Sequence, residues 1–117
     1  MSWVRIAAVL MLLSVALGAF GAHALRDKLS GHYLEVYKTA VLYQMIHALG
    51  LFVVAWLSTT SQDPKVGLAG VFMLLGIVLF CGSLYALSLT GIKWLGAITP
   101  MGGIAFLIAW VMLFLVK

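Results

Sequence analysis

Gln44 and His47 stand one helical turn apart inside Thr39 to Gln62, a stretch of 24 residues without a charged side chain. An amide and an imidazole in such surroundings cost several kcal/mol each if left unpaired. Two kinds of chemistry suit them. They can bind a ligand, a proton or a cofactor, the default reading for polar groups within a membrane span. They can equally hydrogen-bond a neighbouring helix, and such bonds average well under about 2 kcal/mol. At 100° per residue, Tyr33, Tyr37, Ala40, Gln44, His47 and Leu51 fall within about 80° of one another. That face is expected to point into the protein.

Other candidates are weaker. His23 closes an earlier apolar stretch, and His47 lies about 8–10 Å deeper by helical rise. Two histidines can ligate haem or a metal. With no third ligand and different depths, they predict neither a metal site nor a resident cofactor. The six methionines are scattered. Cys81, the only cysteine, lies in an apolar stretch and reads as a small core residue that forms no intrachain disulfide. Glu35 is expected to pair with Lys38 or Arg26 near the membrane surface. No nucleophile–base–orienter set, P-loop or dinucleotide fingerprint occurs, so the chain is not expected to be an enzyme.

The elements that must position these residues follow from composition. Of 117 residues, 65% are hydrophobic and 9% charged, against roughly 45–50% and 25% in soluble domains. The charges leave four free windows: 6–25, 39–62, 66–92 and 94–116. Each can cross about 30 Å of hydrocarbon as a helix. The expected fold is an all-α, four-span antiparallel bundle forming a single integral-membrane domain over 1–117, with spans near 4–24, 39–58, 65–90 and 94–116. The lipid bilayer is its first partner. The net charge of +4 comes from scattered cations. That suits anionic headgroups and offers nothing to nucleic acid.

Punctuation sharpens the boundaries. Residues 26–38 carry five of the ten charges. Leu29, Tyr33, Val36, Tyr37 and Ala40 form an apolar stripe there, predicting a short interfacial helix or two wet turns of the second span, with Ser30 as N-cap. Asp63 and Pro64 suit the start of the third span, and Gly91 its end. Thr99-Pro100 should kink or restart the fourth span. Ala22-His23-Ala24 has the form of a signal-peptide cleavage site. The preceding apolar run exceeds the roughly 7–15 residues of such peptides, so an uncleaved span is expected. One membrane side receives Arg5, Lys65 and Lys117, the other Arg26, Lys28, Lys38 and Lys93. Three positives against four assign no orientation.

Helices in lipid associate by close approach, so small residues at helical spacing mark contact faces. Ala7, Ser14, Gly18 and Gly21 lie on one stripe of the first span. Ala69, Gly76, Ser83 and Thr90 recur every seven residues in the third, a period that favours a left-handed crossing of about +20°. Gly96, Thr99 and Gly103 share a side of the fourth. The packing glycines expected are Gly18, Gly21, Gly76, Gly82 and Gly103.

Three stretches taken together carry a resemblance. They are Gly18-Ala19-Phe20-Gly21-Ala22-His23-Ala24-Leu25, Tyr43-Gln44-Met45-Ile46-His47-Ala48-Leu49, and Gly82-Ser83-Leu84-Tyr85 followed by Thr99-Pro100-Met101-Gly102-Gly103. Their order resembles the YgdD-like family of small membrane proteins, which includes mitochondrial transmembrane protein 256. The resemblance spans nearly the whole chain. It implies an integral membrane protein of the bacterial inner membrane or of mitochondria, and carries no reaction with it. It also implies that His23, Tyr43, Gln44, His47, Ser83, Tyr85 and Thr99 belong to one signature. With Tyr37, they are expected to form a single buried polar cluster.

Three functions fit these features. The first is a non-enzymatic structural or accessory component, alone, as a homo-oligomer or with a membrane-protein partner. The second is a small transporter or channel component with a polar path at His47 and Gln44. The third is a binder of a quinone, lipid or haem.

Overall fold

A computed structural model of the chain describes residues 2–117. Helix α1, Trp3–Phe20, continues through a π-helical turn, Gly21–Leu25. The Leu25 carbonyl then accepts from the N–H groups of Lys28 and Leu29, both at 3.0 Å, and closes a tight turn. Ser30, in an extended conformation, caps α2 by accepting from the Tyr33 N–H at 3.4 Å.

Helix α2, Gly31–Thr60, is one rod of 30 residues. At about 1.5 Å per residue it measures roughly 45 Å, half as long again as the hydrocarbon layer. Its first two turns, with His32, Glu35 and Lys38, therefore stand among headgroups. The separate interfacial helix expected over 26–38 is not formed. Of the two forms the charge pattern allowed, the chain takes the wet start of the second span, because nothing between Gly31 and Ala40 breaks the helix.

The turn at residues 61–64 is held by Asp63. Its Oδ1 accepts from the Lys65 N–H at 3.0 Å, capping α3, and its Oδ2 accepts from the Lys117 N–H at 3.0 Å. The Ser61 hydroxyl donates to the Lys117 carbonyl at 3.1 Å. The N–H of Lys65 first, and then that of Lys117, hold the Asp63 carboxyl below the usual carboxylate range.

Helix α3, Lys65–Gly76, passes through a second π turn, Ile77–Cys81, into α4, Gly82–Thr90. Gly91, at φ 72°, ends it, its N–H bonding the Leu87 carbonyl at 2.8 Å. Only glycine adopts that conformation without strain. A 3₁₀ turn, Lys93–Ala97, leads to α5, Thr99–Leu115, with Pro100 in its first turn. Proline restarts the helix here and does not kink it.

These elements make four membrane-spanning helices, Trp3–Leu25, Gly31–Thr60, Lys65–Thr90 and Lys93–Leu115, and no strand among the described residues. Consecutive spans run antiparallel, α1 packing on α2 and α3 on α5, with α2 also against α3 and α4. The long dimension is 48 Å, matching a bilayer of about 40–45 Å with its headgroups. Leu51, Val54, Ala69, Met73 and Ala109 are completely buried, while Leu12, Leu107 and Phe114 are strongly exposed. Apolar side chains both inside and outside are what a hydrocarbon solvent permits.

The glycines sort by what they touch. A Cβ at Gly76 would collide with the Phe106 ring, and one at Gly21 with Tyr37. A Cβ at Gly18 would make an ordinary contact, 3.4 Å from Val41. A Cβ at Gly82 would face open space and one at Gly103 would have Phe80 no nearer than 3.9 Å, so neither sets a close approach. Gly102 does. A Cβ there would strike the backbone of Phe80 inside the second π turn. Gly50, against Met73 and Trp110, and Gly70, against Trp3, are further close approaches that the spacing did not mark. The seven-residue series of the third span holds through Ala69, Gly76 and Ser83 and fails at Thr90, which is exposed.

Candidate functional site: three polar groups around the second span

Gln44 is buried where three spans meet. Its Nε2 donates to the Leu10 carbonyl at 2.9 Å, and its Oε1 accepts from the Tyr85 hydroxyl at 2.6 Å. The same Leu10 carbonyl accepts from the Ser14 hydroxyl at 2.8 Å. Tyr37 completes this group. Its ring meets Tyr85 edge-on with centroids 5.5 Å apart, and its hydroxyl donates to the Leu17 carbonyl. Here α1, α2 and α4 are tied together.

His47 turns away from that group toward α5. The Trp110 indole Nε1–H donates to His47 Nε2 at 3.0 Å, and His47 Nδ1 lies 2.7 Å from the Tyr43 carbonyl. An indole nitrogen only donates, so Nε2 holds the lone pair and the proton sits on Nδ1. The imidazole is neutral and both its nitrogens are used. It stacks on Phe106 with centroids 3.5 Å apart and planes 12° from parallel.

Ser83 and Thr99 form the third group. Their hydroxyl oxygens are 2.6 Å apart, and Ser83 also donates to the Phe80 carbonyl at 3.0 Å. This pair joins α4 to the start of α5.

The single cluster expected from the sequence is thus three separate groups. Gln44 and His47 differ by about 60° around the helix axis, enough for a rod packed on two sides to send one to α1 and α4 and the other to α5. His23 joins none of them. It is exposed on the π turn that ends the first span. Tyr43 is 37% exposed, packed against Phe80 at 4.5 Å, and its hydroxyl has no partner among the described residues. Its ring lies nearly parallel to that of His47, centroids 6.0 Å apart, and the two line an open cleft of about 630 Å³ with Phe80, Pro100, Phe106 and Trp110.

Two participants were missed. Trp110 carried only part of a signal: it lies inside its window, where a donor-only indole gains from an acceptor, yet Trp56 stands equally far inside the second window and is 63% exposed. Phe106 carried none. Among the described residues no three His, Cys, Asp or Glu side chains converge. For His47 to ligate haem or a metal, it must give up the Trp110 bond or its Nδ1 contact.

Four antiparallel apolar helices, with interior polar groups paired across them, define a small multi-pass membrane protein. Residues 17–103 match the family described as "Protein of unknown function (DUF423)", and the chain belongs to that family, under which the YgdD-like proteins and transmembrane protein 256 also fall. It is 54% identical over 112 residues to UPF0382 membrane protein YwdK of Bacillus subtilis, covering 95% of this chain and 91% of that one. It is 48% identical over 111 residues to UPF0382 membrane protein SH2409 of Staphylococcus haemolyticus, covering 95% and 90%. No solved structure matches.

Proposed function

We propose that the protein is a non-enzymatic structural or accessory component of the bacterial plasma membrane, acting as a homo-oligomer or beside a membrane-protein partner. One observation carries the reading. Among the described residues, every buried side-chain nitrogen and oxygen has a hydrogen-bond partner within the chain. The hydrogen-bonding groups of Gln44, His47, Ser83 and Tyr85 are all paired inside the bundle, which supports a role in holding helices together, and the unpaired Tyr43 hydroxyl opens on the aromatic cleft. The bacterial membrane setting rests on the relatives from Bacillus and Staphylococcus, which are named membrane proteins.

The test compares His47→Gln and Gln44→Leu with wild type. A structural role lowers thermal stability in detergent and leaves ion and proton flux in liposomes unchanged. A flux change at unaltered stability favours the transporter reading and refutes this one. Copurification in mild detergent identifies the partner.

A second reading has its own observation. The unpaired Tyr43 hydroxyl, in an aromatic cleft open to lipid, suits a lipophilic molecule carrying an acceptor, such as a quinone. Quenching of Trp110 fluorescence by a soluble quinone analogue, lost in Tyr43→Phe, supports it. Equal quenching in both proteins removes it.

A further inference from the structure

A groove on the opposite flank of α2 has a different chemistry. Two cavities lie along the seam between α1 and α2, and both are lined by Gly21, Ala22 and Lys38. The deeper, of about 210 Å³, is bounded by Gly18, Val41, Leu42 and Met45. The shallower, of about 300 Å³, is bounded by Arg26, Leu34 and Lys38. Sharing three residues, they form one continuous groove.

The sequence explains its shape. Gly18, Gly21 and Ala22 provide almost no side chain on the α1 wall. The Tyr37 ring lies flush against Gly21, its hydroxyl tied to the Leu17 carbonyl, and forms a firm floor. The π turn Gly21–Leu25 carries an extra residue before the charged segment begins, and Arg26 follows directly at the mouth.

The position is equally specific. Leu25 is the last residue of the first span, and Arg26 and Lys38 are the charges that bound the first two apolar windows. The groove therefore opens at the boundary between hydrocarbon and headgroups. Its lower walls are aliphatic and its mouth holds two cations. Arg26 makes no ion pair among the described residues, and Lys38 meets only Glu35, at 3.6 Å, with both side chains largely exposed. Such an exposed pair is weak and readily exchanged.

We infer that this groove binds one anionic phospholipid, an acyl chain lying along Gly18, Val41, Leu42 and Met45 and the phosphate between Arg26 and Lys38. Guanidinium and ammonium groups above an apolar furrow match a lipid phosphate in charge and geometry. A zwitterionic lipid fits the furrow equally and loses at the mouth, where its own cation meets Arg26 and Lys38.

The test is native mass spectrometry of the detergent-purified protein with equimolar phosphatidylglycerol and phosphatidylcholine of the same acyl chains. Wild type should retain phosphatidylglycerol in about tenfold preference, the order expected of two interfacial cations partly offset by Glu35. R26Q/K38Q should reduce the preference to below about twofold, and E35Q should raise it. Ala22→Phe, which fills the groove and keeps both charges, should lose bound lipid of either kind. K28Q/K93Q removes as much charge from the same membrane side outside the groove and should leave the preference intact. Equal loss in K28Q/K93Q, or persistence in R26Q/K38Q, overturns the site. Glycerol 3-phosphate separates the lipid from its headgroup. Thermal protection by it equal to that of phosphatidylglycerol overturns the assignment to a lipid.

Discussion

Replacing Tyr85 with phenylalanine removes one oxygen from the most connected polar group and leaves the ring in place. The Tyr85 hydroxyl donates to Gln44 Oε1 at 2.6 Å. Gln44 is 3% exposed, so no lipid headgroup or bulk water can take over as donor. Two magnitudes compete. Hydrogen bonds between transmembrane helices average about 0.6 kcal/mol and reach about 1.7, because the unfolded chain in the membrane also finds partners. Leaving a buried acceptor unpaired costs about 1–3 kcal/mol. The second governs here, since Gln44 stays anchored through Nε2 to the Leu10 carbonyl and cannot turn its oxygen elsewhere without breaking that bond. Tyr85→Phe is therefore expected to cost about 1–2 kcal/mol.

Reversible unfolding in mixed detergent and SDS micelles measures this. The cycle is completed with Gln44→Leu and the double variant. Once the amide is gone the hydroxyl has nothing to satisfy, so the double variant should cost less than the sum of the singles by at least about 0.5 kcal/mol. Tyr43→Phe is the internal control. Its hydroxyl has no partner among the described residues, and its loss should cost under about 0.5 kcal/mol. Additive singles, or a Tyr43→Phe as damaging as Tyr85→Phe, refute the claim that Gln44 and Tyr85 act as one unit.

Gly102→Ala should destabilise by about 3 kcal/mol in the same assay, because its Cβ meets the Phe80 backbone, while Gly76→Ala should cost about 1–3, since the Phe106 ring can swing. Gly82→Ala, with open space around it, should be neutral or stabilising within about 1 kcal/mol. Trp110→Phe leaves His47 Nε2 without its donor and should lower stability by about 1–2 kcal/mol, with circular dichroism unchanged. The Asp63 carboxyl titrates below its ordinary value, so its contribution is full above about pH 4 and is lost as pH falls through the lowered value. Thermal melts from pH 7 to 3 should show that loss in wild type, and Asp63→Asn should flatten it.

The span number, the Ser30 and Asp63 caps, the Gly91 stop and a kink or restart at Pro100 were legible in the sequence, because each is local chemistry: a side chain and the next few N–H groups. The depth at which helices meet was not. Gly103 has the right spacing for contact and Gly82 its place in the resemblance, yet Gly102 makes the contact, because the π turn Ile77–Cys81 brings the backbone of Phe80 against it. No periodicity count contains that extra residue. Gln44 and His47 were legible as inward-facing, since their burial follows from polarity alone. Their separation into two groups was not, because it depends on which helices flank α2. His23 was drawn toward the cluster by its place in the resemblance, and the exposed π turn puts it outside.

Hydrophobic burial cannot favour one helix arrangement over another in lipid, where acyl chains are as apolar as leucine. Selection falls to steric fit and to paired polar groups. In this bundle the two coincide. Gly76 admits the Phe106 ring on which His47 stacks, and His47 in turn accepts from Trp110. Gly21 seats Tyr37, which packs edge-on to Tyr85, the donor to Gln44. Gly102 sits against Phe80, whose carbonyl accepts from Ser83 in its bond with Thr99. Each close approach thus sets the position of one polar group. A slide of any span by one turn, about 5.4 Å, would lose a contact and strand a polar atom in hydrocarbon together. α2 takes part in two of the three couplings, to α1 and α4 through Gln44 and to α5 through His47. It is therefore the rod against which the other spans are registered.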